Sequence, residues 1–101
     1  MKQKQQINKD TILQRNPGQL FTLIDDEVVI LSVKHEEYLN LNSQASFIWQ
    51  QLETPYSFGE LTDQLCSTYN VKKEDCIKDT LDFITELVEK GIIQIVHEKN
   101  S

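Results

Sequence analysis

The chain has 101 residues, of which 39% are apolar and 26% are charged, and its formal net charge is −6. A domain of this size can bury a core without disulfides or metal. The excess of acidic residues argues against a nucleic-acid partner, because phosphate binding depends on clustered Lys and Arg. No apolar segment approaches the roughly 20 residues of a membrane span, so a membrane partner is not expected either.

The features that report on the cellular compartment point to the cytoplasm. Residues 1–10 are polar and lack the apolar segment of a secretory signal. The two cysteines, Cys66 and Cys76, do not form a C-x-x-C pair, so a zinc site is not expected. Reduced thiols in a cytoplasmic protein are the ordinary expectation for such a chain.

The N-terminal half predicts a flexible tail followed by a small antiparallel sheet. Residues 1–18 are assigned to the tail, because the chain begins with a polar stretch that lacks periodicity. Three short runs rich in β-branched and aromatic residues follow, at residues 20–24, 28–33 and 38–41. Short polar segments separate these runs, as in the hairpins of a meander. The middle run is apolar on both faces and is predicted to be the central strand, which makes residues 38–41 an edge strand.

Three helices are predicted after the sheet, because the hydrophobic period changes from 2 to 3.6. The first has one apolar face, made of Ala45, Ile48, Trp49 and Leu52. The second begins at a capping box formed by Ser57 and Glu60. The third runs over residues 73–90, and Gly91 fits the left-handed position that ends a helix. Residues 92–96 then predict a short terminal strand or a packed tail.

Together these elements predict one α+β domain over residues 19–96. The expected architecture is winged-helix-like, with a three-stranded antiparallel sheet near the N-terminus followed by three helices. Residues 97–101 are assigned to a C-terminal tail. No internal repeat and no long linker divides the sequence into further domains.

The third helix has an apolar arc wider than one buried face requires. At about 100° per residue, one stripe is predicted to face the core and contains Ile77, Leu81, Ile84 and Val88. A second stripe lies roughly 90° away and contains Cys76, Thr80, Phe83 and Leu87. Packing on the sheet or on the second helix is the simpler explanation for Cys76 and Leu87. For Thr80 and Phe83, packing and the lining of a peptide groove both remain open.

A set of converging catalytic groups is not visible in the sequence. His35 falls in a predicted turn and His97 in the tail, and neither has a Cys or acid partner at metal-ligand spacing. The three glycines lie too far apart for a phosphate loop, and neither Cys66 nor Cys76 has an evident base. We therefore expect no enzymatic activity, no metal and no cofactor.

The stretch from Tyr38 to Trp49 resembles a known signature. It matches the pattern Y-x-x-L-N-x-x-(A/G)-x-x-I-W of PqqD-like proteins, the peptide-recognition elements of ribosomal natural-product pathways. The order of strands, signature, capped second helix and long third helix is also similar, so the resemblance extends over residues 19–96. A freestanding chain of this size, with the tyrosine before Leu-Asn, looks most like the leader-binding protein of lasso-peptide biosynthesis.

The resemblance implies a binding function without catalysis. The leader segment of a precursor peptide would add as a strand to the third strand, against the third helix, and would be delivered to a partner enzyme. In lasso-peptide systems that enzyme is a cysteine protease. The residues that the resemblance assigns to peptide binding are Tyr38, Leu39, Asn40 and Leu41 on the strand, and Cys76, Thr80 and Phe83 on the helix wall.

Other functions stay open beside this one. A pyrroloquinoline-quinone-type chaperone, which presents a peptide to a radical enzyme, fits the same resemblance. A winged-helix DNA-binding regulator fits the element count, but residues 73–90 hold six acids against three lysines and would repel phosphate. A small protease inhibitor or a generic adaptor also fits the composition.

Overall fold

Six strands and three helices make up residues 7–96, the part of the chain that the computed structural model describes. The elements in chain order are β1 (Ile12–Arg15), β2 (Leu20–Ile24), β3 (Glu27–Ser32), β4 (Glu37–Asn40), α1 (Ser43–Gln51), β5 (Tyr56–Ser57), α2 (Phe58–Tyr69), α3 (Lys73–Glu89) and β6 (Ile93–Val96). The α+β class, with a three-stranded antiparallel sheet followed by three helices, is confirmed.

The predicted meander is the sheet β2-β3-β4, with β3 in the centre. Val28 and Ile30 of β3 are buried, because this face of the sheet packs on the helices. Asp25 and Asp26 form the turn between β2 and β3 and both have positive φ, at 52° and 70°. Positive φ at both central residues is the backbone of a two-residue hairpin turn whose twist matches the flanking strands.

A second sheet, β5-β1-β6, corrects the prediction of a tail over residues 1–18. Strand β1 pairs antiparallel with both neighbours, and Leu13 in its centre is fully buried. Its main partner β6 lies about 80 residues further along the chain, so the pairing leaves no local periodic signal. The remaining parts of the two predicted tails, residues 1–6 and 97–101, lie outside the described residues.

The predicted helix ends are confirmed by their hydrogen bonds. The α2 capping box is complete: Glu60 N donates to Ser57 Oγ at 3.2 Å, and Ser57 N donates to Glu60 Oε1 at 3.5 Å. Gly91 has φ +76°, and the N–H of Ile92 donates to the carbonyl of Leu87 at 2.9 Å, which closes α3.

Trp49 lies in the core, as its place on the apolar face of α1 predicts, and it is fully buried. The Phe21 ring meets it edge-on, with ring centroids 5.5 Å apart. The Arg15 guanidinium lies over both rings, 4.7 Å from the Phe21 centroid and 5.2 Å from the Trp49 centroid. Arg15 therefore joins β1 to β2 and α1 through cation–π contacts.

The hydroxyl of Ser46 holds the meander to α1. Ser46 is buried; its Oγ accepts a hydrogen bond from the Val28 N–H at 2.9 Å and donates to the Leu41 carbonyl at 3.1 Å. The N–H of Leu41 in turn donates to the Val28 carbonyl at 2.9 Å. One side chain thus satisfies two buried backbone groups where the β3–β4 ladder ends.

Replacing Ser46 with alanine is expected to destabilise the fold by about 1–3 kcal/mol, because a buried donor and a buried acceptor both lose their partner. Urea unfolding followed by circular dichroism measures this loss. The control is Gln44→Ala, at an exposed position of the same helix, which is expected to leave the unfolding midpoint nearly unchanged. Equal midpoints for the two variants would show that the Ser46 hydrogen bonds between the meander and α1 do not stabilise the fold.

Candidate functional site

Strand β4 has one unpaired edge in the described part of the chain. It pairs with β3 on one side only, as predicted for the last strand of the meander. Tyr38 is 72% exposed, whereas Leu39 points to the opposite face and packs against the core. Leu41 follows the strand, and its side chain is buried in the core.

The hydrogen-bond pattern shows which backbone groups of β4 are free. Leu41 donates to β3, and along an antiparallel ladder the residues bonded to the partner strand alternate with residues whose N–H and C=O point away. Leu39 and Glu37, which lie opposite Ile30 and Ser32, therefore belong to the bonded set. It follows that Tyr38 and Asn40 present their N–H and C=O groups at the free edge.

The C-terminal end of α3 lies against the beginning of β4. Lys90, the C-cap residue of α3, donates from Nζ to Glu37 Oε2 at 2.8 Å, and both side chains are partly buried. This ion pair connects residues 53 positions apart in the sequence. The ion pair thereby joins the C-terminal end of α3 to the first residue of β4.

The ion pair lowers the pKa of the Glu37 carboxyl below its ordinary value of 4.5, chiefly through the hydrogen bond from Lys90, and it raises the pKa of Lys90 through the same bond. Because the folded-state pKa of Glu37 is depressed, its contribution to stability is present above pH 4.5 and is lost as the pH falls through the folded-state value. The contribution of Lys90 is lost above pH 10.5.

We expect an NMR titration of the Glu37 carboxyl carbon to give a midpoint below 4.5. In the Lys90→Met variant the midpoint is expected to move back up toward 4.5, because the donor is gone and the stem of the side chain is kept. A midpoint that does not change in that variant would exclude the ion pair as the cause.

The buried face of α3 differs from the predicted one. Cys76 and Thr80 are 5% and 2% exposed, whereas Ile77, Leu81 and Val88 are only half-buried. The four buried positions of the helix are Cys76, Thr80, Ile84 and Leu87. The centre of the core face thus lies between the two predicted stripes, because α3 packs against α2 as well as against β6.

This packing corrects the assignment of Cys76 and Thr80 to an open groove wall. The Cys76 thiol donates to the Thr62 carbonyl of α2 at 3.8 Å and lies 4.0 Å from the Thr80 hydroxyl. Burial, together with the hydrogen bond to the neighbouring Cys66, raises the pKa of the Cys76 thiol to about 11. A thiol with that pKa is a poor nucleophile, and both side chains serve the α2–α3 contact.

Phe83 is the one predicted helix-wall residue that remains accessible. It is half-buried, and it precedes Lys90 by seven residues, which places the two about 20° apart around the helix. Because Lys90 reaches Glu37, Phe83 lies on the side of α3 that meets β4 at the helix end. Phe83 and the free edge at Tyr38 and Asn40 are thus connected through the Lys90–Glu37 pair, which joins α3 to β4.

Glu37 and Lys90 belong to this site but were not predicted. No local pattern pairs a strand residue with a helix-capping lysine so far along the chain. Among residues 7–96, no group of three or more His, Cys, Asp or Glu side chains is placed to hold a metal ion. Over the same range, no helix has both the length and the apolar composition needed to cross a membrane.

The fold and this site define a class: a small α+β domain with an open sheet edge beside a long helix. The family model for PqqD, coenzyme PQQ synthesis protein D, matches residues 27–93, which is more than half of the chain. The chain therefore belongs to the PqqD family, as its signature predicted. No curated protein sequence matches it significantly.

Three solved structures share the fold. The structure described as TbiB1 in complex with the TbiA(beta) leader peptide is 28% identical, with a TM-score of 0.71 over 84% of this chain and 99% of that chain. Lasso peptide synthetase B1 complexed with the leader peptide is also 28% identical, with a TM-score of 0.68 over 81% of this chain and 96% of that chain.

The third structure is the PqqD truncation of Methylobacterium extorquens PqqCD, described as a stand-alone recognition element for ribosomally synthesised and post-translationally modified peptides. Its sequence is 13% identical, with a TM-score of 0.71 over 88% of this chain and 95% of that chain. At this identity the similarity shows the fold alone.

Proposed function

We propose that this protein binds the leader segment of a ribosomally made precursor peptide, without catalysis of its own, and delivers the peptide to a processing enzyme in the cytoplasm. The leader adds as a strand to β4 and lies against α3. One observation carries the proposal: Tyr38 and Asn40 present free backbone donors and acceptors on a strand whose first residue is paired with the C-cap of α3. An added strand lies about 4.8 Å from its neighbour.

The two structural relatives at 28% identity support this proposal, because each was solved with a leader peptide bound. Strand addition uses main-chain hydrogen bonds for affinity and side-chain pockets for specificity. The edge of β4 offers the main-chain hydrogen bonds. Phe83 and Leu39 offer half-buried apolar surface for the side chains of the peptide.

We propose a lasso-peptide-type leader protease as the partner enzyme. This choice is supported by the similarity to lasso peptide synthetase B1, which was solved with its leader peptide. The alternative is a radical enzyme of the pyrroloquinoline-quinone type, which the family model favours. Adding purified precursor with each class of enzyme, in the presence and absence of this protein, distinguishes them by the mass of the product.

Regulation by binding to DNA is the weaker alternative. Helix α3 carries more carboxylates than lysines and would repel the phosphate backbone. A mobility-shift assay at low salt tests it directly. Binding to DNA at micromolar protein would contradict the peptide-binding proposal.

Amide hydrogen exchange tests the strand-addition geometry. On saturation with a leader peptide, the amides of Tyr38 and Asn40 are expected to exchange at least tenfold more slowly, because they gain hydrogen-bond partners. The amides of Leu39 and Leu41 already bond to β3 and serve as the internal control. Unchanged exchange at Tyr38 and Asn40 with peptide bound would place the binding site elsewhere.

Incubation of the peptide with this protein alone tests the absence of catalysis. A change in the mass of the peptide would contradict it.

A further inference from the structure

Both lysines within α3 and the lysine at its C-cap are engaged with carboxylates. Lys73 lies 3.6 Å from Asp63, and Lys78 lies 3.3 Å from Asp82. Lys90 lies 2.8 Å from Glu37. The positive charge of the helix is therefore already matched by neighbouring acids.

Five other acids of α3 have no basic partner within 4 Å among residues 7–96, and all are exposed. They are Glu74, Asp75, Asp79, Glu86 and Glu89. An exposed helix surface with five uncompensated carboxylates creates a negative potential that extends about 10 Å into solvent at 0.1 M salt. A strand lying between β4 and α3 falls within that distance.

Two of these acids border Phe83. Asp79 precedes it by four residues and Glu86 follows it by three, the spacings at which side chains on one helix face are neighbours. Glu86 also lies close enough to Lys90 to raise its pKa. Both carboxylates therefore lie on the side of α3 that meets β4, one on each side of the apolar contact.

We propose that the leader peptide recognised by this protein is basic: it carries Lys or Arg beside the apolar residue that packs on Phe83, where these side chains meet Asp79 and Glu86. The inference rests on the proposed function and deepens it by stating the chemistry of the peptide. Charge complementarity of this kind steers association and selects against acidic peptides.

A display library of random peptides about 12 residues long tests the proposal, since that length exceeds the roughly 26 Å of α3 when extended. Selection uses the full chain at about 50 mM NaCl, where electrostatic attraction is weakly screened. Selected peptides are expected to be enriched in Lys and Arg over the input library, and their affinity is expected to fall at about 500 mM NaCl.

Matched charge variants locate the effect. The double variant Asp79→Asn, Glu86→Gln is expected to bind the selected peptides about fivefold more weakly. The control Glu74→Gln, Glu89→Gln removes the same charge from the same helix at positions centred about 100° away, and is expected to bind as the unchanged protein does.

The outcomes separate the two proposals. Peptides that slow exchange at Tyr38 and Asn40 but show no enrichment of Lys and Arg, or bind both double variants equally, would overturn the inference about charge and leave strand addition intact. A library that yields no peptide protecting those two amides would overturn the proposed function, and the inference with it.

Discussion

Replacing Ile84 with alanine is expected to destabilise the fold by about 2–5 kcal/mol, whereas Phe83→Ala is expected to cost about 2 kcal/mol. Ile84 is fully buried on the core face of α3, so its truncation leaves a cavity. Phe83 is half-buried, so part of its ring is already in water in the free protein. The two residues are neighbours in the sequence but differ in what surrounds them.

The order reverses for peptide binding. Phe83→Ala is expected to weaken the affinity for a leader peptide about tenfold or more, because the ring is the accessible apolar contact on the β4 side of α3. Ile84→Ala is expected to leave the affinity of the folded fraction nearly unchanged. Urea unfolding and peptide titration on the same two proteins, at a temperature where both are folded, measure both quantities.

Two results would contradict this assignment. If Phe83→Ala unfolds the protein as severely as Ile84→Ala, Phe83 belongs to the core and the groove lies elsewhere. If Phe83→Ala leaves both stability and affinity unchanged, this side of α3 makes no contact with the peptide.

Proline at position 40 is the second substitution with a large expected effect. The Asn40 N–H points away from β3, so Asn40→Pro removes a donor only from the free edge and puts a ring where a peptide strand would approach. We expect the affinity for a leader peptide to fall at least tenfold, because one backbone hydrogen bond is lost and the ring obstructs the added strand.

The control is Asn40→Val, which changes the same side chain but keeps the N–H and suits a strand. It is expected to bind peptide nearly as the unchanged protein does. Calorimetric titration of both variants, with unfolding curves to confirm the fold, completes the comparison. Equal binding by the proline and valine variants would show that the Asn40 N–H is not used.

Local signals account for the parts of the fold that could be predicted. The capping box at Ser57 and Glu60 and the left-handed Gly91 each involve residues a few positions apart, and both are confirmed. The runs of β-branched and aromatic residues that mark β2, β3 and β4 are also local, so the edge position of Tyr38 followed from the order of the runs.

Long-range pairing explains what could not be predicted. Strand β1 contains few apolar residues, and its pairing with β6 depends on a partner from the other end of the domain. The ion pair between Glu37 and Lys90 depends on tertiary structure in the same way. Neither contact changes the spacing of apolar residues within its own segment.

The face of α3 shows a different limit. Its apolar arc is wide enough for more than one direction of burial, and the sequence alone does not say where α2 lies. The contact between Cys76 and Thr62 decides the direction and buries Thr80 with it. Leu81, which the periodicity assigns to the core, is only half-buried, and for that reason Ile84 is the appropriate comparison for Phe83.

The anchoring of β4 at both ends has a consequence for the kinetics of recognition. Glu37 is held by Lys90 at one end, and at the other the Ser46 hydroxyl fixes the Leu41 carbonyl. The receiving strand is thus preorganised, and the loss of conformational entropy on binding falls on the peptide alone. Association then requires little rearrangement of the protein, so sequence changes in the peptide are expected to alter its residence time more than its association rate.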